Sequence, residues 1–322
     1  RAKSDSGFDL LHQMLTGTRE RLAIDRAHFA RFLRFAKERN GLDADRLRRL
    51  RKPEDYAAWK ATHNELLVPY FFAKAFGLTI SFTIVPTQKG QGDFQIIHPK
   101  GRVIVEVKTP RGDDPNLEGP QGGAHWGWDE ELIKPVFLDA AGQLRRGNLN
   151  LVVICTHLCT WIHDSMPFER LLYGEDIIAA TFGPETGNVG EPRTEFRPNG
   201  ELLRHKPKRY TRISAVASLR TDAYCDGPFD LRVMQVQFAV LHNCHASCPI
   251  SAQVFRRAEQ FLPKRKGIKH VGEKRSSILL YMTEGWSQNI VESLRVSIHL
   301  CCRWVRRLRY RGKIRRIAEA MR

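Results

Sequence analysis

The sequence predicts an α/β fold, and three observations lead to it. Runs rich in β-branched and aromatic residues, which are typical of strands, alternate with stretches whose apolar residues recur every three to four positions, which is typical of helices. The chain of 322 residues is long enough to bury a sizeable core. The predicted elements follow one another as a helix at 54–76, strands at 78–85, 93–98 and 102–108, a helix at 129–146 and a strand at 149–156.

Residues 1–52 precede these elements as a helical and strongly charged segment. Its apolar residues recur at helical spacing, and such a stripe most often covers one face of a core. The stripe consists of Leu22, Ile24, His28, Phe29, Phe32, Leu33 and Phe35, and Leu47 and Leu50 extend it. Arg48, Arg49 and Arg51 lie beside it. A run of charge usually faces solvent, and contact with the backbone of a substrate is the alternative interpretation.

The helix at 54–76 begins after Pro53, a residue that is favoured in a first helical turn. Glu54 and Asp55 suit the positive end of the helix dipole. Glu65 is an acid set among the apolar residues of this helix. We weigh a surface position for Glu65 against a place in a functional site, and its location before three strands favours the site.

The strands at 93–98 and 102–108 flank a Pro-Lys-Gly turn and predict a hairpin. Side chains alternate along a strand, so Glu106 and Lys108 project to the face opposite that of Val107. With a two-residue loop, Asp93 lies across from Glu106 or from Lys108. Both registers place Asp93 on the charged face of the hairpin.

Two carboxylates and one ammonium group on a sheet face form a recognisable chemical set. Carboxylate oxygens are the ligands that Mg²⁺ and Mn²⁺ prefer, and an ion held by one or two acids keeps positions open for water and a phosphate oxygen. A lysine beside it can orient or deprotonate the attacking water and offset charge on the phosphoryl group. The set indicates phosphodiester hydrolysis. The alternative is an ordinary hairpin with one face in water.

With these residues and this element order, the segment 54–160 resembles the PD-(D/E)XK nuclease superfamily, which has the restriction-endonuclease-like fold. The resemblance implies an αβββαβ core with a mixed sheet flanked by helices. It implies that Asp93 and Glu106 are metal ligands and that Lys108 is the catalytic lysine. Glu65 matches the helix acid of many members, which binds a second metal or positions water, and Gln143 matches a glutamine near the site. The implied cofactor is Mg²⁺, with Mn²⁺ as a substitute.

The chain departs from the family pattern at two places. Gly92 stands where the family name has proline, and a long Gly- and Pro-rich loop, 109–128, precedes the second helix. Two further acids, Asp139 and Glu175, are considered as neighbours of the site without being assigned to it.

The predicted nuclease-like domain covers 53–250, with strands at 213–219 and 231–241 extending the sheet. Residues 251–322 are predicted to be a basic and mainly helical tail. Its last part, 264–322, holds 16 Lys and Arg against four Glu, so it carries +12 of the net charge of +17. Such a patch favours phosphate-backbone binding. Anionic membrane surfaces are the rival partner, and a tail that is not native coding sequence is the third interpretation.

We therefore predict a metal-dependent nuclease that hydrolyses phosphodiester bonds, in DNA rather than RNA. The alternatives are a catalytically silent nucleic-acid-binding module with a nuclease fold and a peripheral membrane protein that acts through its basic C-terminal helix. A second copy of the chain is a further candidate partner, as a homodimer. Seven cysteines without small-domain spacing predict reduced thiols and a cytoplasmic protein. No apolar run approaches eighteen residues, so we expect neither a transmembrane helix nor a signal peptide.

Overall fold

The chain divides into two compact units, Arg1–Leu280 and Tyr281–Arg322. The helices and sheets of the fold belong to the first unit. In this computed structural model, the described residues are 23–52, 55–82, 92–99, 101–110, 128–156, 166–179, 193–204, 209–226, 232–264, 267–271 and 278–281. All of them except Tyr281 belong to the first unit.

Five helices and one short 3-10 turn lie within the described residues. They are α1 (Ala23–Glu38), α2 (Ala44–Leu50), α3 (Tyr56–Phe76), α4 (Trp128–Gln143), α5 (Met166–Leu172) and the 3-10 turn Ala252–Phe255. Asp43 and Asp55 cap α2 and α3 by accepting hydrogen bonds from backbone N–H groups in the first turn of each helix. Gly77 ends α3 in the left-handed conformation, which costs glycine little.

The strands of the described residues form one large sheet and one small one. They are β1 (Thr79–Phe82), β2 (Phe94–His98), β3 (Gly101–Lys108), β4 (Leu149–Thr156), β5 (Glu175–Ala179), β6 (Arg193–Arg197), β7 (Ala215–Asp226), β8 (Arg232–His242), β9 (Glu259–Lys264), β10 (Gly267–Val271) and β11 (Ile278–Tyr281). The large sheet has the order β1-β2-β3-β4-β7-β8-β9-β10, with β11 paired to β8, and β5 pairs with β6. It is mixed: β4 runs parallel to β3 and to β7, whereas β2 is antiparallel to β1 and to β3.

Each face of the large sheet is covered by helices. On one face, Phe32 of α1 and Phe72 of α3 pack into a core with Val105 of β3. On the other face, Phe137 of α4 and Leu172 of α5 pack with residues such as Val152 of β4. Burial on both faces explains the continuous apolar run of β4. The α/β architecture with a mixed sheet flanked by helices is therefore the one that the sequence predicts.

Alternation along β3 follows the predicted pattern. Val103, Val105 and Val107 belong to the core beneath α1 and α3, whereas Ile104 belongs to the core beneath α4 and α5. Glu106 alternates with the valines, so it shares the face of Ile104. The predicted order of a helix, three strands, a helix and a strand is also observed, as α3, β1, β2, β3, α4 and β4.

The sheet continues beyond the predicted domain boundary at residue 250. The segment after it was expected to be mainly helical, but β9 pairs in parallel with β8 and β10 pairs with β9. Strand pairing with a sheet that already exists outweighs the weak local pattern of this short segment. Residues 282–322, which hold most of the predicted basic tail, lie outside the described residues. Within the part of the chain that the structure describes, no helix is both long and apolar enough to cross a membrane.

Candidate active site

The hairpin sets two acids opposite each other on neighbouring chain segments. Phe94 pairs with Val105 in the antiparallel ladder of β2 and β3. Asp93, one residue before β2, therefore lies opposite Glu106. The structure selects this register over the one with Asp93 opposite Lys108.

Gly92 has a backbone conformation that explains the departure from proline at this position. Its φ is 65°, and a Cβ atom there would lie 2.5 Å from the Val105 carbonyl oxygen and 2.8 Å from Cγ2 of Ile104. Proline fixes φ near −65°, and any other side chain would collide with β3. A glycine therefore lets the chain turn into β2 with Asp93 against the end of β3.

The Asp93 side chain is held by backbone and side-chain contacts. Its Oδ2 accepts a hydrogen bond of 2.7 Å from the backbone N–H of Val107. Its own backbone N–H donates to the Val105 carbonyl at 2.8 Å. Nη2 of Arg46 donates to the Asp93 carbonyl oxygen at 3.2 Å and lies 3.9 Å from Oδ1. Asp93 is thus oriented from both sides, while Oδ1 is left for a further partner.

Lys108 ends β3 and contacts three side chains. Its Nζ lies 3.0 Å from Oε1 of Glu106 and 2.7 Å from Oδ2 of Asp139, and it donates to Oε1 of Gln143 at 3.1 Å. Nε2 of Gln143 in turn donates to both carboxylate oxygens of Asp139 at 3.0 and 3.1 Å. Asp139 and Gln143 are four residues apart on α4, so they share one face of that helix. The face of α4 therefore fixes the ammonium group of Lys108.

Glu65 of α3 is held by two arginines of α2. Oε1 accepts from Nη1 of Arg49 at 2.7 Å, and Oε2 accepts from Nη2 of Arg49 and from Nε of Arg46, each at 3.0 Å. The preceding residue of α3, Asn64, donates to the Thr109 hydroxyl at 2.9 Å, just beyond Lys108. These contacts join α2, α3 and the end of β3 at one place.

The acids of the site repel one another in a partly buried setting. Burial raises the pKa of Asp93 well above its usual range, and the charges of Glu65 and Glu106 raise it further, against the Val107 hydrogen bond and Arg46. Burial also raises the pKa of Glu106, although Lys108 opposes this effect. An added cation would relieve both effects, because it favours the charged form of each carboxyl.

Lys108 keeps its proton. Burial acts to lower its pKa, but the carboxylates of Glu106 and Asp139 more than offset this, so the pKa is raised above its ordinary value. An ammonium group donates hydrogen bonds and stabilises negative charge, whereas it has no lone pair with which to accept a proton. Of the two roles that the sequence suggests for this lysine, the geometry favours orienting water and offsetting charge.

The donor set fits a hard divalent cation held by two carboxylates. Asp93 and Glu106 supply oxygen ligands and an excess of negative charge, which suit Mg²⁺ or Mn²⁺. Among the residues that the structure describes, no group of three or more His, Cys, Asp or Glu side chains is arranged to hold a metal ion. Two protein ligands are compatible with Mg²⁺, which usually keeps several of its waters.

The structure thus brings together four of the predicted site residues, which are Asp93, Glu106, Lys108 and Gln143. Glu65 adjoins them through Arg46. Their roles as catalytic or metal-binding residues stay predictions. Of the two further acids considered from the sequence, Asp139 contacts Lys108. Glu175, in contrast, begins β5 and contacts Arg170 and Asn199.

Sequence reasoning missed the part that Arg46 and Arg49 play. Both belong to a charge run in which solvent exposure is the usual expectation. Arg46 lies between Asp45 and Leu47 at no distinctive spacing, and its two partners Glu65 and Asp93 are 19 and 47 residues away. The sequence holds no signal for contacts at that separation. Of the long loop predicted beside the site, 111–127 lie outside the described residues.

Comparisons of the chain with models of protein families, with curated proteins and with solved structures gave no match. The geometry and charges of the site are therefore the basis on which its function is proposed.

Proposed function

We propose that the protein is a metal-dependent nuclease of the restriction-endonuclease-like fold. It hydrolyses phosphodiester bonds, and DNA is the proposed substrate in preference to RNA. The observation that carries the proposal is the group of Asp93, Glu106 and Lys108 at the adjoining ends of β2 and β3, where Lys108 contacts Glu106 at 3.0 Å. The order α3, β1, β2, β3, α4, β4 supports the assignment of the fold, because it is the order of the nuclease superfamily.

In this proposal, Asp93 and Glu106 hold one Mg²⁺ or Mn²⁺ ion. When bound, such an ion polarises a phosphate oxygen and makes coordinated water a better nucleophile. The ammonium group of Lys108 donates a hydrogen bond to the attacking water or to a phosphate oxygen and stabilises the negative charge that develops on the phosphoryl group. Glu106 and Asp139 keep that ammonium group protonated, and Asp139 and Gln143 orient it.

DNA is proposed as the substrate from the family resemblance, and the net charge of +17 supports a polyanionic partner. The contacts described above read no base, so the proposal includes no sequence specificity.

The experiment is cleavage of linear, circular and single-stranded DNA and of RNA, each with Mg²⁺, with Mn²⁺ and with EDTA. We expect cutting of DNA by the wild type only with a divalent ion. We expect Lys108→Ala and Asp93→Asn to lower the rate by at least about 100-fold, the size typical for loss of one preorganised group. DNA binding, measured by fluorescence anisotropy, should survive in both variants.

Matched controls come from the same residue types on exposed surfaces. Lys74→Ala at the end of α3 and Asp176→Asn in β5 should cut at the wild-type rate, because both residues are exposed. If the wild type binds DNA but cuts no substrate with any metal, the nuclease proposal fails and the catalytically silent binding module replaces it.

A further inference from the structure

We propose that the site takes a single divalent cation, bound at Asp93 and Glu106, and that Arg46 and Arg49 keep Glu65 from acting as a metal ligand. This inference rests on the proposed function and specifies its metal requirement. In this inference, Arg46 and Arg49 of the N-terminal helical segment occupy the place that a second metal ion would otherwise take.

The first argument is that Glu65 has its oxygens already in use. Two guanidinium groups donate three hydrogen bonds of 2.7 to 3.0 Å to its carboxylate. Hydrogen bonds between charged groups of this kind are about twice as strong as neutral ones. A metal ion at Glu65 would have to displace Arg49 and meet the positive charge of Arg46.

The second argument is that Arg46 is not free to move away. Its side chain is only 2% exposed. Besides Glu65, Nη1 donates to the Gly41 carbonyl at 3.2 Å and to Oδ2 of Asp43 at 2.9 Å, and Nη2 donates to the Asp93 carbonyl. Its withdrawal would remove a donor from the Gly41 carbonyl, which is buried, and from the partly buried oxygens of Asp43 and Asp93, and a buried acceptor without a donor is unfavourable. Arg46 is therefore a fixed cation of the site.

The third argument is the charge balance of the described residues. One group of linked ion pairs has four carboxylates and three guanidinium groups, which belong to Asp43, Asp45, Glu65, Asp93, Arg46, Arg48 and Arg49. The other has the carboxylates of Glu106 and Asp139 with the ammonium group of Lys108. The guanidinium groups beside Glu65 and Asp93 and the ammonium group beside Glu106 already offset much of the carboxylate charge, and this favours one divalent cation over two.

The fourth argument is the contrast between Glu65 and the two proposed ligands. Among the described residues, Oδ1 of Asp93 and Oε2 of Glu106 accept no hydrogen bond, and both residues face the same end of the hairpin. Asp93 and Glu106 therefore each have an oxygen that accepts no hydrogen bond, whereas both oxygens of Glu65 accept hydrogen bonds from arginine.

The test counts bound Mn²⁺ by isothermal titration calorimetry of the full chain without substrate, in the wild type and in Asp93→Asn. The variant serves as the blank for any ion bound elsewhere on the protein. We expect the wild type to bind one more Mn²⁺ per chain than Asp93→Asn. A difference of two overturns the inference while leaving the nuclease proposal intact. A difference of zero overturns the inference together with the proposed metal site.

A matched pair of variants gives a second readout. We expect Glu106→Gln to weaken Mn²⁺ binding by more than about 100-fold, because losing a ligand exceeds the roughly 10–100-fold effect of losing a supporting residue. We expect Glu65→Gln to weaken it by about tenfold or less. Equal losses in the two variants would overturn the inference. If circular dichroism shows that Glu65→Gln does not fold, the ion count of the wild type against Asp93→Asn decides alone.

Discussion

Two groups of ion pairs lie beside Asp93, and each has one member whose burial sets it apart. The group from α2 and α3, formed by Arg46, Arg49 and Glu65, includes the almost inaccessible guanidinium of Arg46. The group at the end of β3, formed by Glu106, Lys108 and Asp139, reaches solvent at Asp139, whose side chain is 58% exposed, while Glu106 and Lys108 are largely buried. We call them the arginine group and the lysine group.

Burial separates the contacts that serve stability from those that are available for chemistry. A buried ion pair is costly to break, since one partner is left as an uncompensated charge. An exposed pair contributes little to stability and rearranges easily. The planar guanidinium also binds a carboxylate through two parallel hydrogen bonds, whereas an ammonium group acts as a compact and mobile charge. The arginine group therefore suits a structural role, and the lysine group suits contact with substrate.

The largest expected effect is loss of the arginine group's centre. We expect Arg46→Met to lower the free energy of unfolding by about 3–5 kcal/mol, because it leaves the Glu65 carboxylate with one buried partner fewer. Arg48→Met is the matched control on the same helix: its side chain is 63% exposed and pairs with Asp45, so the loss should stay below about 1 kcal/mol. Urea unfolding measures both, and equal losses would show that the burial of Arg46 adds nothing to stability.

The next largest effect is expected at Gly92, which precedes Asp93 in the turn into β2. We expect Gly92→Ala to destabilise the protein by about 1–3 kcal/mol, because the positive φ and the contact with the Val105 carbonyl are both unfavourable for a Cβ atom. Gly142→Ala is the control, since a Cβ atom there meets nothing within 4 Å in α4. Alanine in that helix should stabilise by about 0.5–1 kcal/mol. Thermal unfolding with no loss for Gly92→Ala would show that the turn tolerates a side chain.

A smaller effect should separate activity from stability within the lysine group. We expect Asp139→Asn to lower cleavage about tenfold, or about 1.4 kcal/mol in the barrier, because Lys108 loses a charged partner at 2.7 Å. Its unfolding free energy should change by less than about 0.5 kcal/mol, as for other exposed positions. Measurements of kcat/KM and urea unfolding on the same sample test this. A loss of stability without a loss of rate would contradict the assignment.

The smallest effect is expected at His242, a buried imidazole that has no charged partner among the described residues and so provides a reference for burial. Burial lowers the pKa of His242, against hydrogen bonds with Gln260 and the Ile250 backbone. The unfolded chain, with a His pKa of about 6.5, then takes up a proton before the folded one does. Stability from His242 is complete above that pH and falls as the pH drops through the folded pKa.

This effect can be isolated by comparing the wild type with His242→Gln in unfolding experiments between pH 7.5 and 5, roughly the range in which His changes charge. We expect a smaller loss of stability on acidification in the variant than in the wild type. Parallel curves would mean that His242 is equally easy to protonate in the folded and the unfolded chain.

The elements that the sequence predicted best have short-range signals. The hairpin of β2 and β3 was predicted from alternation and a turn within sixteen residues, and β4 was predicted at 149–156, where the structure has it. The same sixteen residues hold Asp93, Glu106 and Lys108, and a strand pair places such nearby residues on one face of the sheet. The resemblance to a nuclease family supplied Glu65 and Gln143, which neither periodicity nor charge alone would have selected.

Composition and local periodicity are enough to predict the α/β class, the charged face of the hairpin and the basic balance of the chain. Tertiary structure alone decided that Arg46 is buried between Glu65 and Asp93, that Asp139 contacts Lys108, and that β9 and β10 extend the sheet. These contacts join residues far apart in the chain. Whether an arginine faces water or a carboxylate depends on how helices pack against each other, and no local pattern of residues records that packing.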